Sequence, residues 1–131
     1  MAKRKAISKA VRLAVYDKCN HRCAYCGCPL EYKDMQVDHV VPLNGWSEQG
    51  TDTIDNMLPA CRSCNHYKSR STLEGFRRMV GAMPDVLMRD SNTYKNAVRF
   101  GLVIPNKKPV VFYFEKIADL KNTEVIGQSK K

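Results

Sequence analysis

The first apolar residues of the chain recur at the three- and four-residue spacing of one helix face. With Ser8 as a cap, this pattern predicts an amphipathic helix over residues 7–18. The apolar positions of this helix are Ile7, Ala10, Val11, Ala14 and Val15. The basic positions on its other face are Lys9, Arg12 and Lys18. We expect the helix to pack its apolar face on the rest of the domain and to turn the bases outward.

Two short runs of β-forming residues follow, and a polar stretch separates them. The first run covers residues 35–40 and ends before Pro42, and the second covers residues 56–60. We expect the two runs to pair as antiparallel strands. The stretch between them, residues 43–55, is rich in Gly, Ser, Thr, Asp and Asn and therefore predicts a long loop. We expect Trp46 to pack this loop down rather than to stack on a nucleic-acid base.

Helices are predicted for most of the second half of the chain. One helix should span residues 63–70, and the capping-box pattern of residues 71–74 should start another, which Pro84 should stop. A short helix is predicted over residues 92–100. Residues 109–114 combine apolar and β-forming side chains, which favours either a further strand or a segment that covers the rest of the domain.

The chain carries an excess of basic residues. Its 131 residues include 22 Lys and Arg against 13 Asp and Glu, which gives a net charge of +9, and residues 1–33 supply +6 of that charge. A clustered excess of this kind favours a polyanionic partner, with binding that weakens as the salt concentration rises. A solvated basic face is the alternative, and charge alone does not choose between the two.

Four of the six cysteines form two Cys-x-x-Cys pairs. The pairs are Cys23 with Cys26 and Cys61 with Cys64. Each pair presents two thiolates from one tight turn, so that two pairs complete the tetrahedral shell of a zinc ion. Gly27 follows the first pair and can adopt the positive φ that such a turn needs. Cys19 and Cys28 are left over, and we expect them to be free thiols.

The cellular compartment is predicted from the apolar runs of the sequence. Residues 1–15 show no apolar signal-peptide core, and no apolar run is long enough to span a membrane. Reduced thiols that bind a metal then fit better than a disulfide framework. We therefore expect a cytoplasmic protein.

Four sequence blocks stand in order along this part of the chain. They are Cys23-x-x-Cys26, Asp38-His39-x-x-Pro42, Asn56-Met57-Leu58 and Cys61-x-x-Cys64-Asn65-x-x-Lys68. This order resembles the zinc-containing branch of the HNH endonuclease family, whose fold is the ββα-metal finger. The resemblance covers residues 11–80, roughly half the chain. It implies an α+β fold, with a small ββα-metal (HNH or His-Me finger) nuclease core that contains structural zinc and is flanked by helices.

The resemblance also implies a division of the chain and a biological setting. Residues 1–82 are predicted to form the HNH nuclease domain with its basic N-terminal helix. Residues 83–131 are predicted to be a C-terminal extension that packs on or beside this core. By analogy with the family, we expect a phage-encoded or bacterial protein in the cytoplasm of the host cell.

Phosphodiester hydrolysis needs a base and a cation, and the blocks offer candidates for both. His39 is the expected general base, because an imidazole can accept a proton near neutral pH. Asp38 and Asn65 offer hard oxygen ligands for one Mg²⁺ or Mn²⁺ ion. The resemblance implies that Asn56 steadies the base through the loop backbone. His66 is an alternative to Asn65, and the position directly after the second cysteine pair favours Asn65.

The predicted function is that of a metal-dependent HNH endonuclease that hydrolyses DNA phosphodiester bonds. The residues expected to contact nucleic acid are Lys68, Arg12, Lys9 and Arg62. Each of them can equally be an ordinary surface cation. DNA is the expected partner, with no membrane and with a possible protein partner such as phage packaging or replication machinery. The alternatives are a non-catalytic zinc-finger module that binds nucleic acid and a nuclease subunit that needs a partner.

Overall fold

The computed structural model describes residues 6–46 and 48–119, and the chain divides into two compact units. The first unit combines Met1–Thr72 with Val111–Lys131, and the second is Leu73–Val110. The elements of the first unit are α1 (Lys9–Asp17), β1 (Gln36–His39), β2 (Met57–Ala60) and α2 (Arg62–Lys68), with 3₁₀ turns at Tyr32–Asp34 and Ile54–Asn56. The elements of the second unit are α3 (Leu73–Gly81), α4 (Met83–Asp90) and α5 (Asn92–Arg99).

Helix α1 begins where the sequence predicts it. The side chain of Ser8 accepts a hydrogen bond from the backbone N–H of Val11 at 3.2 Å, which satisfies one of the N–H groups that the first turn leaves free. Val15 is fully buried, and α1 packs on β2. Lys18 follows α1 and donates from its ammonium group to the backbone oxygen of Met57 at 2.8 Å. The end of α1 is therefore tied to the start of β2.

Strands β1 and β2 pair antiparallel, as the sequence predicts. The register places Asp38 opposite Leu58 and His39 opposite Met57. Helix α2 follows β2 after Cys61 and packs on β1. The predicted order of strand, loop, strand and helix is confirmed, and the fold is α+β with a small two-stranded sheet.

Of the two alternatives predicted for residues 109–114, the further strand is wrong. Residues 113–119 are helical, and the residues just before them are irregular. The segment makes no ladder with a neighbouring strand in the described residues; instead, the backbone N–H of Phe114 donates to the backbone oxygen of Ala24 at 2.8 Å. Phe112 is 3% exposed and packs edge-on against the ring of Tyr25, with 5.3 Å between the ring centroids. The other expectation is correct for Phe112 and Phe114, which cover Tyr25 and Ala24 within the first unit.

The second unit contains the predicted helices α3 and α5 and also a helix that the sequence analysis missed. Pro84 lies in the first turn of α4 rather than after a helix end. A proline is tolerated there because the N–H that it lacks would have no partner within the helix. The predicted division at residue 82 falls inside this unit, and the domain assignment stays a prediction. No helix within the described ranges is long and apolar enough to cross a membrane.

Candidate active site and metal centre

The four cysteines of the Cys-x-x-Cys pairs converge on one point in the first unit. Their sulfur atoms all lie within 4.8 Å of one another. The Sγ atoms of Cys26 and Cys61 are 3.9 Å apart. Four zinc–sulfur bonds of about 2.3 Å in a tetrahedron give sulfur–sulfur edges of about 3.8 Å. The four cysteines can therefore hold a metal ion, and both the donor type and the spacing fit zinc.

Each cysteine pair is shaped by its own local backbone. Gly27 has a φ of +79°, and its N–H donates to the backbone oxygen of Cys23 at 3.0 Å, which closes the first turn. The predicted role of Gly27 is confirmed, because a side chain would strain this conformation. Cys61 immediately precedes α2, and its sulfur accepts a hydrogen bond from the backbone N–H of Cys64 at 3.4 Å. The second pair is therefore held by the first turn of a helix.

The thiols of this cluster differ in how readily they lose a proton. A hydrogen bond from Cys64 lowers the pKa of Cys23 to about 4. The same hydrogen bond raises the pKa of Cys64, because its proton is held between the two sulfurs. The thiolate form of Cys23 is thus stabilised, whereas the thiolate form of Cys64 is destabilised. A divalent ion would stabilise the thiolate form of all four cysteines, because its charge attracts each sulfur.

The remaining two cysteines are placed differently. Cys19 is buried in the core of the first unit. Cys28 lies beside the cluster, where burial and the neighbouring thiols of Cys26 and Cys61 raise the pKa of its own thiol. Neither belongs to the group of four sulfurs that can surround one ion. The geometry is consistent with the expectation that the two are not ligands.

Asp38, the predicted metal ligand on β1, lies in a buried ion pair. Its Oδ2 atom is 3.2 Å from the ammonium nitrogen of Lys68 and accepts a hydrogen bond from the hydroxyl of Tyr25. The side chains of Asp38 and Lys68 are 5% and 0% exposed. Burial raises the pKa of Asp38, and the contacts with Tyr25 and Lys68 oppose that rise. Asp38 is therefore held by two partners of its own chain.

The position of Lys68 contradicts the prediction that this residue contacts nucleic acid. Besides pairing with Asp38, its ammonium group donates to the backbone oxygen of His39 at 3.0 Å. A fully buried ammonium that is used in this way does not face a DNA phosphate. The sequence did not show this because a lysine near the end of a short helix is usually exposed.

Asn65, the second predicted metal ligand, lies on the same face of α2 as Lys68. Its amide nitrogen donates to Oε1 of Gln36 at 2.6 Å. Residues two apart on a strand share a face, as do residues three apart on a helix, so Asn65 and Lys68 of α2 lie along Gln36 and Asp38 of β1. The structure thus brings the two predicted ligands onto facing rows. Gln36 was not predicted as part of this site.

His39, the predicted base, is the last residue of β1 and is 9% exposed. Its Nε2 atom is 2.8 Å from Oδ1 of Asp52, which lies in the long loop and is 39% exposed. The sequence analysis missed Asp52. It is one of several acids and polar residues in a loop, and nothing in its spacing from His39 marks it as a partner.

Asn56 joins the end of β1 to the loop. Its Oδ1 accepts from the backbone N–H of Val41 at 2.9 Å, and its Nδ2 donates to the backbone oxygens of Val41 at 2.8 Å and Thr51 at 2.9 Å. Gly50 is required beside this contact, because a Cβ there would lie 1.9 Å from the oxygen of Val41 and 2.6 Å from Nδ2 of Asn56. Val41 is two residues from His39. This arrangement is consistent with the expectation that Asn56 steadies the base through the backbone.

The expectation that Trp46 packs the loop down is wrong. Its side chain is 67% exposed. The guanidinium of Arg70 lies 5.6 Å from the centroid of its ring. The amide of Asn56 holds the loop instead, so the loop needs no apolar anchor.

The other basic residues predicted to bind nucleic acid differ in their surroundings. The guanidinium of Arg12 donates to the backbone oxygens of Tyr32 at 2.9 Å and Met35 at 2.6 Å and stacks over the ring of Tyr32. This structural use weighs against a phosphate contact by Arg12. Lys9 is exposed on α1. Arg62 is exposed at the start of α2, where it lines a cavity of about 630 Å³ together with Gln36.

Residues 23–71 match the family described as HNH endonuclease. This segment is therefore similar to HNH endonuclease domains. It begins at the first metal-cluster cysteine and contains β1, the long loop, β2 and α2, so the matched residues are those that build the candidate site.

Parts of known proteins are also similar to this chain. The CRISPR-associated endonuclease Cas9 of Corynebacterium diphtheriae is 36% identical over 52 residues, which is 40% of this chain and 5% of that protein. The Septu protein PtuB of Bacillus thuringiensis is 35% identical over 60 residues, which is 44% of this chain and 23% of that protein. The crystal structure of the Type II-C Cas9 enzyme from Actinomyces naeslundii superposes with a TM-score of 0.49 at 28% identity, covering 60% of this chain and 8% of that one. The chain thus spans less than a quarter of each of these proteins.

Proposed function

We propose that the chain is a metal-dependent endonuclease that hydrolyses DNA phosphodiester bonds. The observation that carries this proposal is the placement of His39 within the HNH domain. His39 ends β1, its backbone oxygen accepts from Lys68, and its ring contacts Asp52, so that both backbone and ring are held. A base that is held in one orientation is what proton abstraction from water requires.

In the proposed reaction, His39 takes a proton from a water molecule. The oxygen of that water forms a new bond to phosphorus, and the bond to the 3′ oxygen breaks. The departing 3′ oxygen then takes a proton from solvent. General base catalysis of this kind contributes about 10²- to 10⁴-fold to a rate.

Asp38 and Asn65 are the residues that would hold a divalent ion. Their oxygen donors fit Mg²⁺ or Mn²⁺ in chemical type, and they come from the facing rows of β1 and α2. The ion would supply Lewis-acid stabilisation of the departing oxygen. Lys68 and Tyr25 both contact the Oδ2 atom of Asp38 and so keep its buried carboxyl in a defined place.

Zinc is proposed for the cluster of four cysteines, in a structural role. The cluster joins the turn after Cys23 to the first turn of α2, two parts of the chain that are far apart in sequence. Structural zinc contributes about 10–16 kcal/mol of apparent binding free energy in finger peptides, and this counts as folding free energy. DNA as the partner is supported by the net charge of +9.

One observation favours a second function, a non-catalytic module that binds nucleic acid. The pairing of Asp38 with the fully buried Lys68 is also what a purely structural carboxylate would show. Plasmid cleavage by the zinc-loaded protein with Mg²⁺ or Mn²⁺ separates the two functions. The variants to compare are His39→Ala, which we expect to abolish cutting while DNA affinity remains, and His66→Ala.

His66 is the matched control because it is exposed on α2 and packs against Tyr67. We expect His66→Ala to cut like the unmodified protein, which would also support Asn65 over His66 as the metal ligand. Binding without cleavage by every variant, the unmodified protein included, would favour the non-catalytic module. Equal cleavage by His39→Ala and the unmodified protein would refute His39 as the base.

A further inference from the structure

The contact between His39 and Asp52 determines which nitrogen of the ring can act as the base. An ionised carboxylate only accepts hydrogen bonds, so a distance of 2.8 Å between His39 Nε2 and Asp52 Oδ1 places the ring proton on Nε2. A neutral imidazole carries one proton, and the lone pair is then on Nδ1. The atom that can take a proton from water is therefore Nδ1.

Asp52 is held in place by the same loop contacts that involve Asn56. The hydroxyls of Thr51 and Thr53, on either side of Asp52, are 2.8 Å apart and hydrogen-bonded to each other. Asn56 donates from Nδ2 to the backbone oxygen of Thr51 at 2.9 Å and from its backbone N–H to that of Thr53 at 2.9 Å. The backbone on both sides of Asp52 is thus fixed to one residue.

We propose that Asp52 is a positioning residue that orients the ring of His39 through Nε2 and so makes Nδ1 the proton acceptor. This inference rests on the proposed function for its catalytic meaning, and it names the atom that does the chemistry. When Nδ1 takes the proton, the ring becomes a cation, and the carboxylate of Asp52 stabilises it. Because Asp52 is 39% exposed, solvent weakens this stabilisation, so the effect of removing it should be moderate.

The first arm of the test measures cleavage rates under single-turnover conditions. Asp52→Asn keeps the size of the side chain and removes its charge, and we expect the rate to fall about 10- to 100-fold, below the full contribution of a general base. Asp55→Asn is the matched control, because Asp55 is an exposed acid three residues further along the same loop. We expect Asp55→Asn to change the rate less than about threefold. Equal rates for the two variants would overturn the proposal.

The second arm measures the position of the ring proton directly and needs no cleavage. Nitrogen NMR spectra of protein with ¹⁵N-labelled histidine distinguish a protonated Nε2 from a protonated Nδ1. The signals of His39 are those that disappear in His39→Ala. We expect the proton on Nε2 in the unmodified protein and a mixture of both tautomers in Asp52→Asn. A proton on Nδ1 in the unmodified protein would refute the assignment.

The two arms distinguish this inference from the proposed function. An unmodified protein that never cuts, although its His39 carries the proton on Nε2, would refute the nuclease and leave the orientation by Asp52 established. An unmodified protein that cuts, with the same spectrum in Asp52→Asn, would establish the nuclease and refute the role of Asp52. A structural role alone would not move the tautomer.

Discussion

Replacing Lys68 by methionine tests the buried ion pair beneath the candidate site. Methionine preserves the length and apolar stem of the side chain but removes the ammonium group. The variant loses the ion pair with Asp38 at 3.2 Å and the hydrogen bond to the backbone oxygen of His39 at 3.0 Å. The carboxyl of Asp38 is 5% exposed, so water does not replace what is lost.

The magnitude follows from the burial of both partners. Removing one member of a buried pair costs about 3–5 kcal/mol, because a charge is left without compensation. Tyr25 still donates to Asp38 in the variant, which places the expected loss near the lower end, at about 3 kcal/mol. A protein of this size has about 5–15 kcal/mol of total stability, so the loss is large on that scale.

Urea unfolding at saturating zinc measures this loss. The control is Lys9→Met on the exposed face of α1, which we expect to change stability by less than about 0.5 kcal/mol. In the double variant with Asp38→Asn, no buried charge remains, so the loss caused by Lys68→Met should shrink by about 2 kcal/mol or more. A loss below about 1 kcal/mol would refute the buried pair. A weakened DNA affinity at unchanged stability would instead restore Lys68 as a phosphate contact.

Two further predictions concern the metal and the loop. Cys61→Ser should abolish zinc binding and cooperative folding, because three thiolates leave the shell incomplete, whereas Cys28→Ser should keep the metal; zinc content measured by mass spectrometry tests both, and equal zinc in the two variants would contradict the ligand assignment. Gly50→Ala should destabilise the protein by about 1–3 kcal/mol, because its Cβ would collide with the backbone oxygen of Val41. The control Gly81→Ala meets only an ordinary contact and should be neutral or stabilising; thermal unfolding compares the two, and equal melting temperatures would refute the required glycine.

Local signals in the sequence predicted most of the elements. Ser8 caps α1, the run before Pro42 forms β1, and the next apolar run forms β2, because each is decided by residues within a few positions of one another. The same holds for the two cysteine turns, where Gly27 takes the positive φ that its position requires. The resemblance to the HNH family then placed these pieces in one fold.

Predictions failed where a local signal allows two structures, or where a residue serves a contact distant in sequence. Pro84 obeys the rule for helix ends, but the rule does not say whether the proline closes one helix or opens the next. Residues 109–114 have β-forming side chains, yet they find only isolated backbone partners such as the oxygen of Ala24 and no strand edge. The sequence favours a mobile tail over residues 127–131, and these residues lie outside the part of the chain that the structure describes.

The sequence by itself determined which chemical groups are available: four cysteines in two turns, an imidazole at the end of a strand, and oxygen donors at the start of a helix. Only the tertiary structure decided how these groups are used. It buried Lys68 against Asp38, set Asn65 beside Gln36, and brought Asp52 to the ring of His39. The physical reason is that an element and a turn are specified by neighbours along the chain, whereas the partner of a charged side chain depends on which distant backbone folds against it and excludes water.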